Sequence, residues 1–142
     1  PGPAGPVGPG LGGAGAETDG IEVVLGMVSD LVFGPVLTFG LAGDYMDLLD
    51  DVAVRVTPLS DRDAREMIRS VRAFPLLDGW GGAPRADLAA LEDTLLRVSA
   101  LVEHLPRVNR LELRPLRVRP DGGGVVALAA TITLDEPEPT PS

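Results

Sequence analysis

The chain has 142 residues and a net charge of −9, and all twelve of its basic residues are arginine. The acidic balance disfavours a nucleic-acid partner, and the missing lysine removes the usual Schiff-base nucleophile and the usual lysine contact to phosphate. No cysteine is present, which excludes disulfides and thiolate metal sites.

A hydrophobic content of 44% and a mean hydropathy of +0.19 allow a real core. With only five aromatic residues (Phe33, Phe39, Tyr45, Phe74 and Trp80), packing must rest on Leu, Val and Ala. The length fits one domain or part of a larger one. No apolar run reaches the roughly 18 residues of a membrane span. The first residues also lack the basic stretch and apolar core of a signal peptide, so a cytoplasmic, soluble protein is expected.

Residues 1–19 open with "PGPAGPVGPGLGGAGA", too poor in bulky apolar residues to offset its ordering entropy, and read as a flexible linker. The acidic, proline-rich residues 135–142 read as a disordered tail. Between them, "GIEVVLGMV" (20–28) is a β-rich run ending near Ser29 and Asp30. "GPVLTFG" (34–40) is a second short strand and "DVAVRVTP" (51–58) a third.

The period then becomes helical, with Ala64, Met67, Ile68, Val71 and Phe74 on one stripe. Ser60 with Asp63 resembles a capping box, and Pro75 is placed as a stop signal. After the loop "PLLDGWGGAP", Asp87 is the N-cap of a longer helix with Leu88, Leu91, Leu95, Val98, Val102 and Leu105 on one face, ending before Pro106. Such a stripe lies along a core or along a partner helix.

"LELRPLRVRPDGGGVVALAATITL" (111–134) reads as a hairpin. Its first strand slips phase at Pro115, as a proline-marked bulge would, and Asp121 to Gly124 supply the turn. Val126, Leu128, Ala130, Ile132 and Leu134 are expected to line one face of the return strand. Strands, two helices, then strands make an α+β layer: a mostly antiparallel sheet with two helices packed on one face.

From residue 20 to residue 134 the chain resembles the ATP-grasp domain of NDP-forming acyl-CoA synthetases, a domain that also occurs in acyl-CoA synthetase-like regulatory parts of protein lysine acetyltransferases. The resemblance rests on Gly20, Glu22, Gly26, Asp30, Phe33-Gly34-Pro35, Phe39-Gly40, Gly43, Arg55, Pro58-Leu59, Glu66-Met67-Ile68, Pro75-Leu76-Leu77, Gly79 and Gly82. It implies the C-terminal half of an ATP-grasp domain, Mg-ATP or ADP and CoA as the family's cofactors, and a CoA-binding or acetyltransferase domain of the same polypeptide or complex as partner. The family's earlier, adenine-covering half has no counterpart in residues 1–19.

Two departures stand against that pattern. The family motif L-D-L-N-P-L becomes Leu111-Glu112-Leu113-Arg114-Pro115-Leu116, and the Asp and Arg of V-x-D-x-R fall on Ala129 and Thr131. The resemblance makes the Asn and the second Asp oxygen ligands of magnesium; a guanidinium has no acceptor atom and alanine no ligand. No metal and no cofactor of its own is therefore expected for this chain, and catalytic residues are assigned to none. Glu22, Asp47, Glu112 and Arg114 remain as nucleotide-facing candidates by resemblance. Arg114 either binds an anion directly or pairs with a nearby carboxylate and fills the cation site with its own charge; the second keeps local charge balance.

The expected function is a degenerate, non-catalytic ATP-grasp module with a regulatory or structural role in an acetyltransferase or CoA ligase-like protein. The alternatives are the ATP-binding portion of an active NDP-forming acyl-CoA synthetase, an acid–thiol ligase, and a domain that homodimerises through its long helix. Among other residues, His104 reads as a solvated helix-end cation, the acidic run of Asp44, Asp47, Asp50 and Asp51 as a solvated turn, and the glycines of "FGLAG" and "DGWGGAP" as turn glycines rather than a phosphate cradle. Trp80 is either a lid or partner anchor, or a plug over the helices.

Overall fold

The computed structural model describes residues 20–43 and 50–135. The proposed linker, Asp44, Asp47 and the end of the acidic tail lie outside them. In chain order come β1 (Ile21–Asp30), β2 (Gly34–Leu41), β3 (Ala53–Val56), α1 (Asp61–Ser70), the short α2 (Phe74–Leu77), a 3-10 turn (Trp80–Gly82), α3 (Leu88–His104), β4 (Val108–Val118), β5 (Val125–Ala127) and β6 (Ala130–Leu134). The six strands form one antiparallel sheet in the order β3-β2-β1-β4-β5, with β6 also on β4. The α+β expectation holds. Among the described residues no helix is long and apolar enough to cross a membrane.

One face of the sheet makes the core. Val23, Leu25 and Met27 of β1 and Leu37, Phe39 and Leu41 of β2 are buried with Leu111 and Leu116 of β4. Against them pack Ala64, Met67 and Ile68 of α1 and Leu91, Leu95 and Val102 of α3. The apolar stripe of α3 is thus used inside the chain, and Leu105, expected on that stripe, instead forms the C-cap and is 44% exposed. Gly20, just before β1, has φ +119, with the carbonyl oxygen of Val118 only 2.5 Å from where a Cβ would sit, so both its conformation and its contact require glycine.

The capping box of α1 is present in both directions: Asp63 N–H donates to Ser60 Oγ at 3.1 Å, and Ser60 N–H donates to Asp63 Oδ2 at 2.9 Å. Hydrogen bonding from Ser60, by its backbone N–H foremost and then by its side chain, holds the Asp63 carboxyl below the ordinary range. Its contribution to the helix start is therefore present above the unfolded pKa and is lost as pH falls through the lowered folded value.

Helix α1 is shorter than its hydrophobic period. It ends at Ser70, and Val71 is extended. The reversal is capped by Asp51, which the sequence places in a solvated acidic turn. Only 7% exposed, it accepts hydrogen bonds from Arg72 N–H at 2.7 Å and Ala73 N–H at 2.9 Å, satisfying in the chain reversal donors that a longer helix would have used. Phe74 and Pro75 then start α2 instead of ending α1.

A second buried polar bond ties the layers together. Ser99 of α3, 2% exposed, accepts from Leu59 N–H at 2.9 Å just before α1 begins. Ser99→Ala leaves that donor without its partner and is expected to destabilise by about 1–3 kcal/mol, measured as a lower urea midpoint with unchanged slope.

The hairpin departs most from expectation. Val23 pairs with Leu116 and Leu25 with Leu113, so the two residues Arg114 and Pro115 oppose Val24 alone: the bulge is where the proline marks it. From Arg110 to Val118 the register across the hairpin is unbroken, with Leu113 opposite Ala130 and Leu116 opposite Ala127. The return strand therefore shares the bulge and changes face at Leu128 and Ala129, splitting into β5 and β6. Val126 lies opposite Arg117 and Ile132 opposite Leu111, on different sides of the sheet. The predicted single apolar face does not exist, and Val126, Leu128, Ile132 and Leu134 are 36–56% exposed.

Candidate functional site

Among the described residues, helices pack on one face of the sheet and none packs on the other. Alternation along β1 sends Glu22, Val24, Gly26 and Val28 to the open face, between the core positions Val23, Leu25 and Met27. Along β4 the same face receives Arg110, Glu112 and Arg114, and beyond the bulge Arg117. The centre of the face is a cross-strand row: Thr131 of β6, Glu112 of β4, Gly26 of β1, Thr38 of β2 and Val54 of β3. Gly26 has no side chain, and Thr38 Oγ1 comes within 2.8 Å of where its Cβ would be, so a shallow floor with a hydroxyl lies beside Glu112.

The structure brings three of the four candidates to this face. Glu22 is bound to Arg117, Oε2 to Nη2 at 2.9 Å, with the Arg117 side chain 18% exposed. Glu112 and Arg114 form a looser pair, Oε2 to Nη1 at 3.9 Å, with side chains 39% and 42% exposed. Asp47 lies outside the described residues. Arg114 N–H donates to the carbonyl of Ala129 at 3.1 Å, and Leu128 N–H donates to the carbonyl of Pro115 at 3.0 Å. Arg114 and Ala129, singled out separately, are thus direct neighbours across the hairpin.

Sequence reasoning missed Arg117 and Arg110. Their positions one step from Leu116 and Leu111, on the outward side of an alternating strand, are the signal that would have found them. In "FGLAG" the backbone is already used by the sheet. Phe39 and Leu41 are within β2, and Ala42 N–H is taken by the carbonyl of Glu22 at 2.9 Å. Trp80 is 69% exposed at the rim of a cleft of about 490 Å³ that also includes Glu22, Leu41 and Leu76, so it plugs no helix interface. His104 Nδ1 lies 2.7 Å from the carbonyl of Ala100 on the exposed end of α3.

Comparison with known proteins agrees with this architecture. The ATP-grasp domain family matches residues 14–134. The subunit beta of acetate–CoA ligase (ADP-forming) II from Pyrococcus furiosus is 40% identical over 116 residues, 81% of this chain and 49% of the subunit. Acetate–CoA ligase (ADP-forming) I from Archaeoglobus fulgidus is 42% identical over 107 residues, 75% of this chain and 16% of the ligase. The chain therefore spans about half of the first relative and a smaller part of the second. Among solved structures, dinucleotide-forming acetyl-coenzyme A synthetase 1 of Ca. Korarchaeum cryptofilum, in complex with coenzyme A and Mg-AMPPCP, superposes with a TM-score of 0.76 at 36% identity, covering 81% of this chain and 53% of that one. Since the family match takes in most of its length, this chain belongs to the ATP-grasp domain family.

Proposed function

We propose that this chain is the nucleotide-facing sheet of an ADP-forming acyl-CoA synthetase, and that it works with a further ATP-grasp portion and a CoA-binding domain in the same polypeptide or complex. The observation that carries this reading is the open face. Among the described residues it is a sheet surface on which no helix packs, floored by Gly26 and Thr38 and lined along β4 by Arg110, Glu112, Arg114 and Arg117. The similarity to ligase subunits supports the assignment of the assembly.

The face itself supplies binding and orientation. The Arg117–Glu22 bond fixes one end of it, the threonines of its central row offer hydroxyls, and the arginines supply positive charge in a chain of net charge −9. The donor set does not fit magnesium. The two glutamates on β1 and β4 of the face are each within ion-pair range of an arginine, and among the described residues no three His, Cys, Asp or Glu side chains are grouped to hold a metal ion. No chemical step is assigned to such an ion here.

A specific observation favours a second reading, a nucleotide-binding module without turnover. Arg114 and Ala129, where the resemblance implies oxygen ligands, are neighbours, so the departure removes both from one spot. The full-length protein, with any partner subunit, separates the two. Formation of ADP and acetyl-CoA from ATP, acetate and CoA supports the ligase reading. Nucleotide binding in calorimetry with no product supports the silent module. A chain that binds neither ATP nor ADP defeats both.

A further inference from the structure

We propose that β6 is a pairing edge for a second copy of this chain, the two β6 strands adding antiparallel about a two-fold axis at Ile132 and joining two sheets into one. The sheet order puts β6 at the margin, paired to β4 on one side, and among the described residues no strand pairs with its other side. The directions of its backbone groups follow from its bonds to β4. The carbonyl of Ala129 accepts from Arg114 N–H, and Asp135 N–H donates to the carbonyl of Arg107. Backbone groups alternate sides along a strand, so Thr131 and Thr133 also bond inward. The N–H and C=O groups of Ala130, Ile132 and Leu134 therefore point out of the sheet edge.

Such an edge is ordinarily blunted by charge, by proline or by short length. The opposite margin, β3, is only four residues long and carries Arg55. Strand β6 has no charged residue and no proline, holds the strong strand formers Thr-Ile-Thr at its centre, and is exposed throughout. Ile132 and Leu134 are 56% and 54% exposed. They border a cleft of about 690 Å³ whose other walls include Leu105, Pro106 and Val108. Apolar surface left open around an unpaired edge marks a contact made by strand addition.

The strand's own sequence selects the occupant. Read outward from Ile132 in either direction, "ATITL" is close to a palindrome. Antiparallel pairing centred there sets Ile132 against its copy, Thr131 against Thr133, and Ala130 against Leu134. The Ile132 pair and the two Ala130–Leu134 pairs are those whose backbone groups face outward, so they would exchange about six hydrogen bonds. Small Ala130 leaves room for Leu134, and threonine pairs are favourable across strands. No like charges meet, although each chain has a net charge of −9, because Asp135 falls opposite Ala129. A two-fold axis also closes the assembly at two copies. The apolar stripe of α3, by contrast, is used inside the chain and offers no such seam.

The test is the mass of the full-length protein by sedimentation equilibrium from about 1 µM to about 500 µM, a range set by the modest area of one strand pair. A monomer–dimer equilibrium is expected. Ile132→Asp sets two carboxylates against each other at the axis and should weaken the dimer roughly tenfold or more, as should Ile132→Lys. An equimolar mixture of those two variants should recover it, since only at a two-fold axis does a residue face its own copy. Ile132→Pro removes an outward N–H and spares the β4 ladder, so it should give a monomer with unchanged circular dichroism. A wild type that stays monomeric across the range overturns the inference, and that measurement needs no variant. A dimer that none of the substitutions weakens, or a mixture that stays monomeric, overturns it too. Growth beyond the dimer would mean open-ended pairing of β6 with β3, and a monomer whose Ile132 amide resists hydrogen exchange would assign the edge to another segment; the inference fails in both cases.

Discussion

Leu25→Ala is expected to cost about 2–5 kcal/mol, which would remove much of the stability of a domain this size. Leu25 is fully buried at the centre of β1, opposite Phe39 on one side and Leu113 on the other, with α1 and α3 over it. Its truncation leaves a cavity that β1 and its two neighbouring strands cannot easily close, because each is fixed by its ladder. The neighbouring Val28 is 40% exposed on the opposite face, and Val28→Ala should change stability by under about 1 kcal/mol. Urea unfolding of the pair, compared at equal slope, checks the contrast. Equal losses for the two would mean that the core does not lie on the helix side of the sheet.

Asp51→Ala is expected to cost about 3 kcal/mol, since hydrogen bonds to a charged acceptor contribute roughly 1.5–3 kcal/mol each and their loss leaves buried donors unpaired. The two donors are the Arg72 and Ala73 N–H groups, and Ala73 is 8% exposed. Asp51→Asn should cost less, because one carboxamide oxygen can still accept while the NH₂ group cannot. Unfolding midpoints of the three proteins, with circular dichroism to follow helix content, test this order. If Asp51→Ala is as stable as the wild type, α1 ends at Ser70 for another reason.

The comparison also shows which features can be argued from local sequence. The strands, the Ser60–Asp63 capping box, the Asp87 N-cap and the Pro115 bulge are short-range effects: side-chain alternation, one hydrogen bond back to a nearby N–H, or a missing donor. Each is decided within a few residues, and each is found where expected except the return strand at 125–134, which splits into β5 and β6. The family resemblance too was carried by residues present in the chain, and the match over residues 14–134 agrees with it.

The misses are all long-range. Pro75 forbids the helix from running on past Val71, but the group that accepts from the Arg72 and Ala73 N–H groups in the reversal is a carboxylate twenty residues before Val71, at Asp51, that the fold brings back. The periodic pattern in residues 125–134 reads as one strand face, but a bulge in the facing strand turns it over midway. For the site, the sequence by itself determined the residue types, including an arginine and an alanine where the family pattern carries oxygen ligands. Only the tertiary structure decided that Glu22, Glu112, Arg114 and Arg117 share one open face, and that Arg114 and Ala129 are hydrogen-bonded neighbours. The physical reason is that a sheet's pleat and register, not proximity in the chain, choose which side chains meet.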